Sequence, residues 1–404
     1  MAFWTLLEVT STPILEILIV VLVGAFMATD YCNLLAADSR KSLNKIVFTV
    51  FTPSLMFASL ATNVTLHDLI SWWFMPVNIG LTFLIGGTLG WILVKMLKLE
   101  PHIEGLVIAT CSAGNLGNLF LVVIPAICKE KGSPFGDEAT CTTNGIAYVS
   151  FSMAFGAVYI WTHTFHLIRT STMKHRATSR SKQLTADPDP AMETLLKPES
   201  NTHADLIEDS EGQIVTSSES KLKPKRNKTA LDLLSQIVEL FLPPSTMAMM
   251  LGFIFGATSF LKNLLIGEEA PLRFVQEAVK LLGNGTIPCI TLILGGNLVR
   301  GLRGGRIKFP VLLGVAGVRY ILLPAAGMWV VGTAERLQLV PSDGLFRYIL
   351  MMQYVVPPAM NIGTMVEIFD AGQEECSVIF LWMYIMSAFT FTFWSTLFIS
   401  REAI

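Results

Sequence analysis

Apolar runs of membrane-crossing length, divided by short polar stretches, fill most of this 404-residue chain. About twenty consecutive apolar residues suffice for one helix to cross a bilayer. On that scale the pattern predicts ten spans, at residues 13–28, 46–61, 72–97, 106–128, 139–168, 231–261, 274–299, 309–332, 345–369 and 378–399. The first is read as a transmembrane helix, because no basic segment precedes it as in a cleaved signal peptide. Pro243-Pro244 interrupts the sixth, so its membrane-crossing part should start near Ser245.

Two runs break their own pattern. The fourth carries Cys111-Ser112-Ala113-Gly114-Asn115-Leu116-Gly117-Asn118 at its middle, with Pro125 following. The ninth carries Val356-Pro357-Pro358-Ala359-Met360-Asn361-Ile362-Gly363. Glycine and proline weaken a helix, and backbone groups freed inside lipid must find partners within the protein. The two stretches also align, Ala113-Gly114-Asn115-Leu116-Gly117 against Ala359-Met360-Asn361-Ile362-Gly363. Interrupted spans at matching places in two halves point to the binding site of a secondary transporter. They are therefore expected to form crossed, broken helices around one site near the membrane midplane.

The halves match elsewhere as well. Lys45 and Pro53 correspond to Lys280 and Pro288, and Trp91 corresponds to Trp329, in the same chain order. Five spans per half is an odd number, so the halves should be inverted with respect to each other. The predicted fold is an all-α polytopic membrane protein of two inverted five-helix repeats, 1–168 and 231–404, with crossover helices four and nine. Between them, 169–230 is rich in Ser, Thr, Pro and mixed charge and lacks Phe, Trp and Tyr. Such a segment buries too little apolar surface to fold alone. It is expected to be a disordered linker.

Composition agrees with the spans. Charged residues make up 15% of the chain against about 25% in soluble domains, which excludes an ordinary soluble enzyme. A net charge of −2 and the lack of any nucleic-acid motif exclude a nucleic-acid binder. Basic residues set the orientation. With the N-terminus outside the cytosol, twenty Lys and Arg fall on the cytosolic side and seven on the other. The linker is then cytosolic and both termini are luminal. Of two glycosylation sequons, at Asn63 and Asn227, this topology exposes only the first to the lumen.

The candidate chemistry is neutral. Asn115, Asn118 and Asn361 offer carboxamides that donate and accept without charge, beside Gly117 and Gly363. The half-helices that follow each break present a positive N-terminal end, suited to an organic carboxylate. Pro125, Pro357 and Pro358 are read as crossover residues, and Pro53 and Pro288 as kinks that line the site. Glu16, Glu239, Glu277, Lys280 and Arg319 are intramembrane charges, most of them near span ends where snorkelling or capping accounts for them. No acid presents itself as a proton carrier. Six scattered cysteines without a CxxC pair predict neither a metal site nor a disulfide framework. No hydrolase, metalloprotease or P-loop motif occurs, and no cofactor is expected.

On these residues the chain resembles the plant PIN-LIKES proteins, relatives of the PIN-FORMED auxin carriers. The most specific stretches are 113–118, 124–136, Leu242-Pro243-Pro244-Ser245-Thr246 and Leu251-Gly252-Phe253. The resemblance implies a scaffold domain, a transport domain, and carriage of auxin (an indole carboxylate) across the endoplasmic reticulum membrane to regulate auxin signalling. Asn118 stands seven residues before Pro125, as an asparagine does in the PIN-FORMED crossover, and Gly117 replaces that crossover's proline. The acid-and-lysine support site of the third PIN-FORMED helix has no counterpart here, since no acid lies between Asp68 and Glu100. No coupling mechanism is therefore carried over. The expected partners are a small organic anion and the lipid bilayer, with a homodimer as the candidate assembly. The competing readings are a carrier of another organic anion, a sodium-coupled symporter, and a membrane sensor acting through the linker.

Overall fold

A computed structural model describes residues 3–63, 70–129, 133–186, 244–267, 269–304 and 307–402. Among these residues the regular structure is all helical. The first half holds α1 (Phe3–Met27), α2 (Ala37–Ile46), α3 (Thr52–Asn63), α4 (Phe74–Leu97), α5 (Pro101–Ser112), α6 (Asn118–Lys129), α7 (Glu138–Tyr159) and α8 (Phe165–Ala186). The second holds α9 (Pro244–Ala257), α10 (Ser259–Leu265), α11 (Arg273–Asn284), α12 (Thr286–Gly304), α13 (Phe309–Gly317), α14 (Leu323–Arg336), α15 (Gly344–Met352), α16 (Asn361–Ile368) and α17 (Gln373–Glu402).

Local chemistry sets many of these boundaries. Pro101 opens α5, where its missing N–H costs nothing. Asp137 caps α7 by accepting the Thr140 N–H at 2.9 Å. That bond to the charged form holds its carboxyl below the usual aspartate range. Asp343 caps α15 through the N–H groups of Leu345 and Phe346. Single π turns, Val47–Phe51 and Val318–Leu322, come just before Pro53 and Pro324. A wider turn relieves the clash between a proline ring and the carbonyl four residues back.

Among the described residues, six continuous helical runs are long and apolar enough to cross a membrane, and α9 with α10 forms a further pair bent by 104°. Around the broken helices, α1 packs on α12, α3 on α9 and α11, α4 on α5, and α6 on α7. The outer faces carry large apolar side chains, including Leu84, Trp91, Leu313, Ile321 and Trp329. In water such a surface would aggregate; in lipid it is the ordinary exterior of a bundle.

Two features differ from the sequence expectation. The helix expected to end at 168 continues as α8 to Ala186, so part of the expected linker is helical. Its polar stretch extends a helix already nucleated inside the bundle, and elongation is far cheaper than nucleation. The sixth span is described from Pro244 onward, and 187–243, with the rest of the linker and Asn227, lies outside the described residues. The second difference is a disulfide, Cys128–Cys141, with 5.6 Å between Cα atoms. No CxxC spacing announces it, because the two cysteines sit at the facing ends of α6 and α7 across a hairpin. Closing a loop of this size stabilises a fold by about 3 kcal/mol. Cys128→Ser and Cys141→Ser should each lose about that much in thermal unfolding, and the double variant no more than either.

Candidate functional site

Helix α5 stops at Ser112 and α6 starts at Asn118; α15 stops at Met352 and α16 starts at Asn361. The two unwound stretches cross and pair as a short antiparallel bridge between Gly114 and Pro358. The Asn115 N–H donates to Pro357 O at 2.8 Å, and the Ala359 N–H donates to Ala113 O at 3.0 Å. Backbone groups freed by each break are thus satisfied by the other break, as an apolar interior requires. Pro357 and Pro358 hold the ninth span open and supply carbonyls to the crossing. Gly114 has to be glycine, because a Cβ there would fall on Arg319 Nη2 and 2.6 Å from Val356 Cγ2.

Arg319 is the residue that the sequence reading undervalued. Grouped with the other intramembrane charges and given no role, it is wholly buried. The π turn at Val318–Leu322 carries it between α13 and α14, and its side chain runs into the crossing. Its Nε donates to Val356 O at 2.8 Å, its Nη1 to Cys111 O at 3.0 Å, and its Nη2 to Pro357 O at 3.5 Å. The guanidinium therefore binds carbonyls from both breaks at the negative, C-terminal end of the α5 and α15 half-helices. The one available signal was a lone charge in the middle of an apolar run.

A polar network braces the same centre. Asn115 Nδ2 donates to Tyr384 Oη at 3.1 Å, and Tyr384 Oη donates to Pro358 O at 3.1 Å. Asn78 Nδ2 donates to Gln353 Oε1 at 2.8 Å and to Leu350 O at 3.0 Å, and Gln353 Nε2 donates to Ser152 Oγ at 2.9 Å. None of Asn78, Gln353 or Tyr384 was singled out from sequence, since each is one polar residue in an apolar helix.

On the opposite face of the crossing lies a cavity reached by Asn115, Gly117 and Asn361. The N-terminal ends of α6 and α16 point toward it, and Leu55, Met56, Ile287 and Ile290 form its apolar wall. The wall comes from the second and seventh spans but not from their prolines. Pro53 and Pro288 do not line it, and Pro288 is exposed. Three residues beyond a proline on a helix, roughly one turn, is enough to bring Met56 to the cavity instead. Gly363 borders a second, smaller cavity, and Pro125 sits inside α6 away from both. Asn118 is the first residue of α6; its side chain lies outside the described residues. The cavity at the crossing measures about 50 Å³, room for a few water molecules and far below the roughly 300 Å³ of a small-molecule site. The conformation is contracted, with α3 and α12 closed onto the crossing.

A family model described as membrane transport protein matches residues 9–395. Among curated relatives, PIN-LIKES 7 of Arabidopsis thaliana is 52% identical and PIN-LIKES 5 is 51% identical, each alignment covering 99% of both chains. PIN-LIKES 3 of the same plant is 43% identical over 96% of each chain. A crossover of two broken helices in an all-α membrane bundle, with full-length matches of this strength, makes the chain a member of the PIN-LIKES family of membrane transport proteins.

Proposed function

We propose that this protein is a secondary-type carrier of auxin, indole-3-acetate, across the endoplasmic reticulum membrane. The observation that carries the reading is the crossing itself. Two helix N-termini and two carboxamides, Asn115 and Asn361, face one cavity beside an apolar wall. A carboxylate would sit at the helix ends, and the indole ring would lie against Leu55, Met56, Ile287 and Ile290. Entry requires α3 and α12 to part from the crossing, the opening step of an elevator or rocking carrier.

The halves 1–168 and 231–404 are proposed as inverted five-helix repeats joined by a cytosolic linker. The Cys128–Cys141 disulfide supports this orientation independently of the charge bias. Disulfides persist on oxidising sides of membranes, and the orientation places that hairpin in the lumen. The cargo and the compartment follow from the resemblance to the auxin-carrier families.

The test is uptake of radiolabelled indole-3-acetate into proteoliposomes holding the full-length protein, beside Asn361→Ala. Saturable uptake that the variant weakens by about tenfold, with unfolding behaviour unchanged, is the expected result. Equal uptake by both would overturn the site, and no uptake by well-folded wild type would overturn auxin as cargo.

A further inference from the structure

Beside the second cavity lies a feature that the carrier reading does not use. Glu367, one residue from the end of α16, is a carboxylate buried within the bundle. Among the described residues it makes no ion pair, and Asn297 Nδ2 donates to its Oε2 at 2.9 Å. An ionised carboxylate away from water is costly unless something neutralises it, and ionisable groups inside membrane bundles are by default functional. Its position worsens the cost, because a helix C-terminus is already the negative end of the dipole.

Oxygen atoms gather beside it. Asn44, Asn297, Thr364 and Ser377 line a cavity of about 10 Å³, the size at which a void holds one water-sized occupant. Asn44 Nδ2 donates to Thr364 O at 3.2 Å. That leaves Asn44 Oδ1 and Thr364 Oγ1 buried without a hydrogen-bond partner, although both residues are about 98% buried or more. Thr364 and Glu367 are three residues apart and so share one face of α16. Spare amide and hydroxyl oxygens at a one-atom void, with a carboxylate one hydrogen bond away through Asn297, are a donor set for a hard monovalent cation.

We infer that Asn44, Asn297 and Thr364, with the carboxylate of Glu367 beside them, form a site for a small monovalent cation, Na⁺. The donors come from three elements: α2 gives Asn44, α12 gives Asn297, and α16 gives Thr364 and Glu367. The site is complete only while α16 lies against α2 and α12, so an occupant favours that docked arrangement and no other. Helix α16 is about 12 Å long and carries the organic-anion cavity at its other end, at Asn361. On the carrier reading, which this consequence rests on, one short helix links anion occupancy to cation occupancy.

The charged and titratable groups around Glu367 are few. Cys376 of α17 is close enough to feel its charge, together with Glu375. On α2, the Arg40 side chain packs against Gly296, next to Asn297, and Lys41 pairs with Asp370 at the exposed surface. From α8, Arg176 donates to Phe369 O at 2.7 Å.

The experiment is thermal unfolding of the full-length protein in nanodiscs without substrate, so its outcome is independent of which cargo is carried. NaCl is titrated against choline chloride at fixed ionic strength. Tm should rise saturably with NaCl and not with choline, and Glu367→Gln should abolish that dependence. A wild-type Tm indifferent to Na⁺, or wild type and Glu367→Gln responding alike, would overturn the site and leave Glu367 an acceptor for Asn297. Should that variant not fold, Thr364→Val decides: a midpoint displaced about tenfold in cation concentration supports the site, and an unchanged midpoint overturns it.

Discussion

Arg319→Met should destabilise the protein by about 3–5 kcal/mol and abolish transport. Two opposing terms decide the sign. Removing a buried guanidinium relieves its desolvation cost, and apolar replacements of buried charges are often tolerated for that reason. Here, however, the partners are not another side chain that could be removed with it. They are backbone carbonyls of Cys111, Val356 and Pro357, which would be left in an apolar interior. Bonds from a charged donor contribute about 1.5–3 kcal/mol each, and three of them outweigh the relief. Arg319→Lys separates charge from geometry. A single ammonium cannot reach carbonyls on both broken helices as a planar fork does, so this variant should fold, with reduced stability, and transport poorly. Thermal unfolding and proteoliposome uptake, measured side by side, check both. Wild-type stability in Arg319→Met would show that the crossing holds without its guanidinium.

That residue also shows what a sequence can reveal of such a fold. Both breaks were legible because their cause is local: glycine, asparagine and proline inside an apolar run admit few structures in lipid. Aligning the two breaks points to their crossing, but not to the bridge between Gly114 and Pro358. What holds the bridge together was not legible. Arg319 and Cys111 are 208 residues apart, and no periodicity connects them. Glu367 was hidden in another way, since it sits near the end of the ninth apolar run, where an acid reads as solvent-facing. Its burial comes from α2, α12 and α17 packing around α16, which no local pattern encodes. The same applies to Pro53 and Pro288. Both spans border the cavity, but which positions along each helix meet it is a packing outcome. Met56 and Ile290, not the prolines, meet the cavity.

Asn361→Asp tests the electrostatic core of the proposal, because stability and transport should move in opposite directions. Asn361 is the first residue of α16 and lines the cavity at the crossing. A carboxylate at a helix N-terminus stabilises the helix by about 0.3–1 kcal/mol, so the variant should unfold at a temperature equal to or above that of wild type. The same charge would occupy the place proposed for the substrate's carboxylate. Two like charges about 4 Å apart at an effective dielectric constant near 20 repel by roughly 4 kcal/mol, which is about a thousandfold in affinity. Uptake of indole-3-acetate should fall below detection in a protein that is, if anything, more stable. Asn361→Ala, which removes only the carboxamide, should give a smaller loss, on the order of tenfold, matching about 1–2 kcal/mol for one hydrogen bond to a charged group. The ordering of the two variants is the discriminating result. Aspartate and alanine transporting equally would mean that no anion approaches this helix end. The asparagine would then serve only to tie the crossing together, and the carboxylate would have to be held elsewhere on the apolar wall.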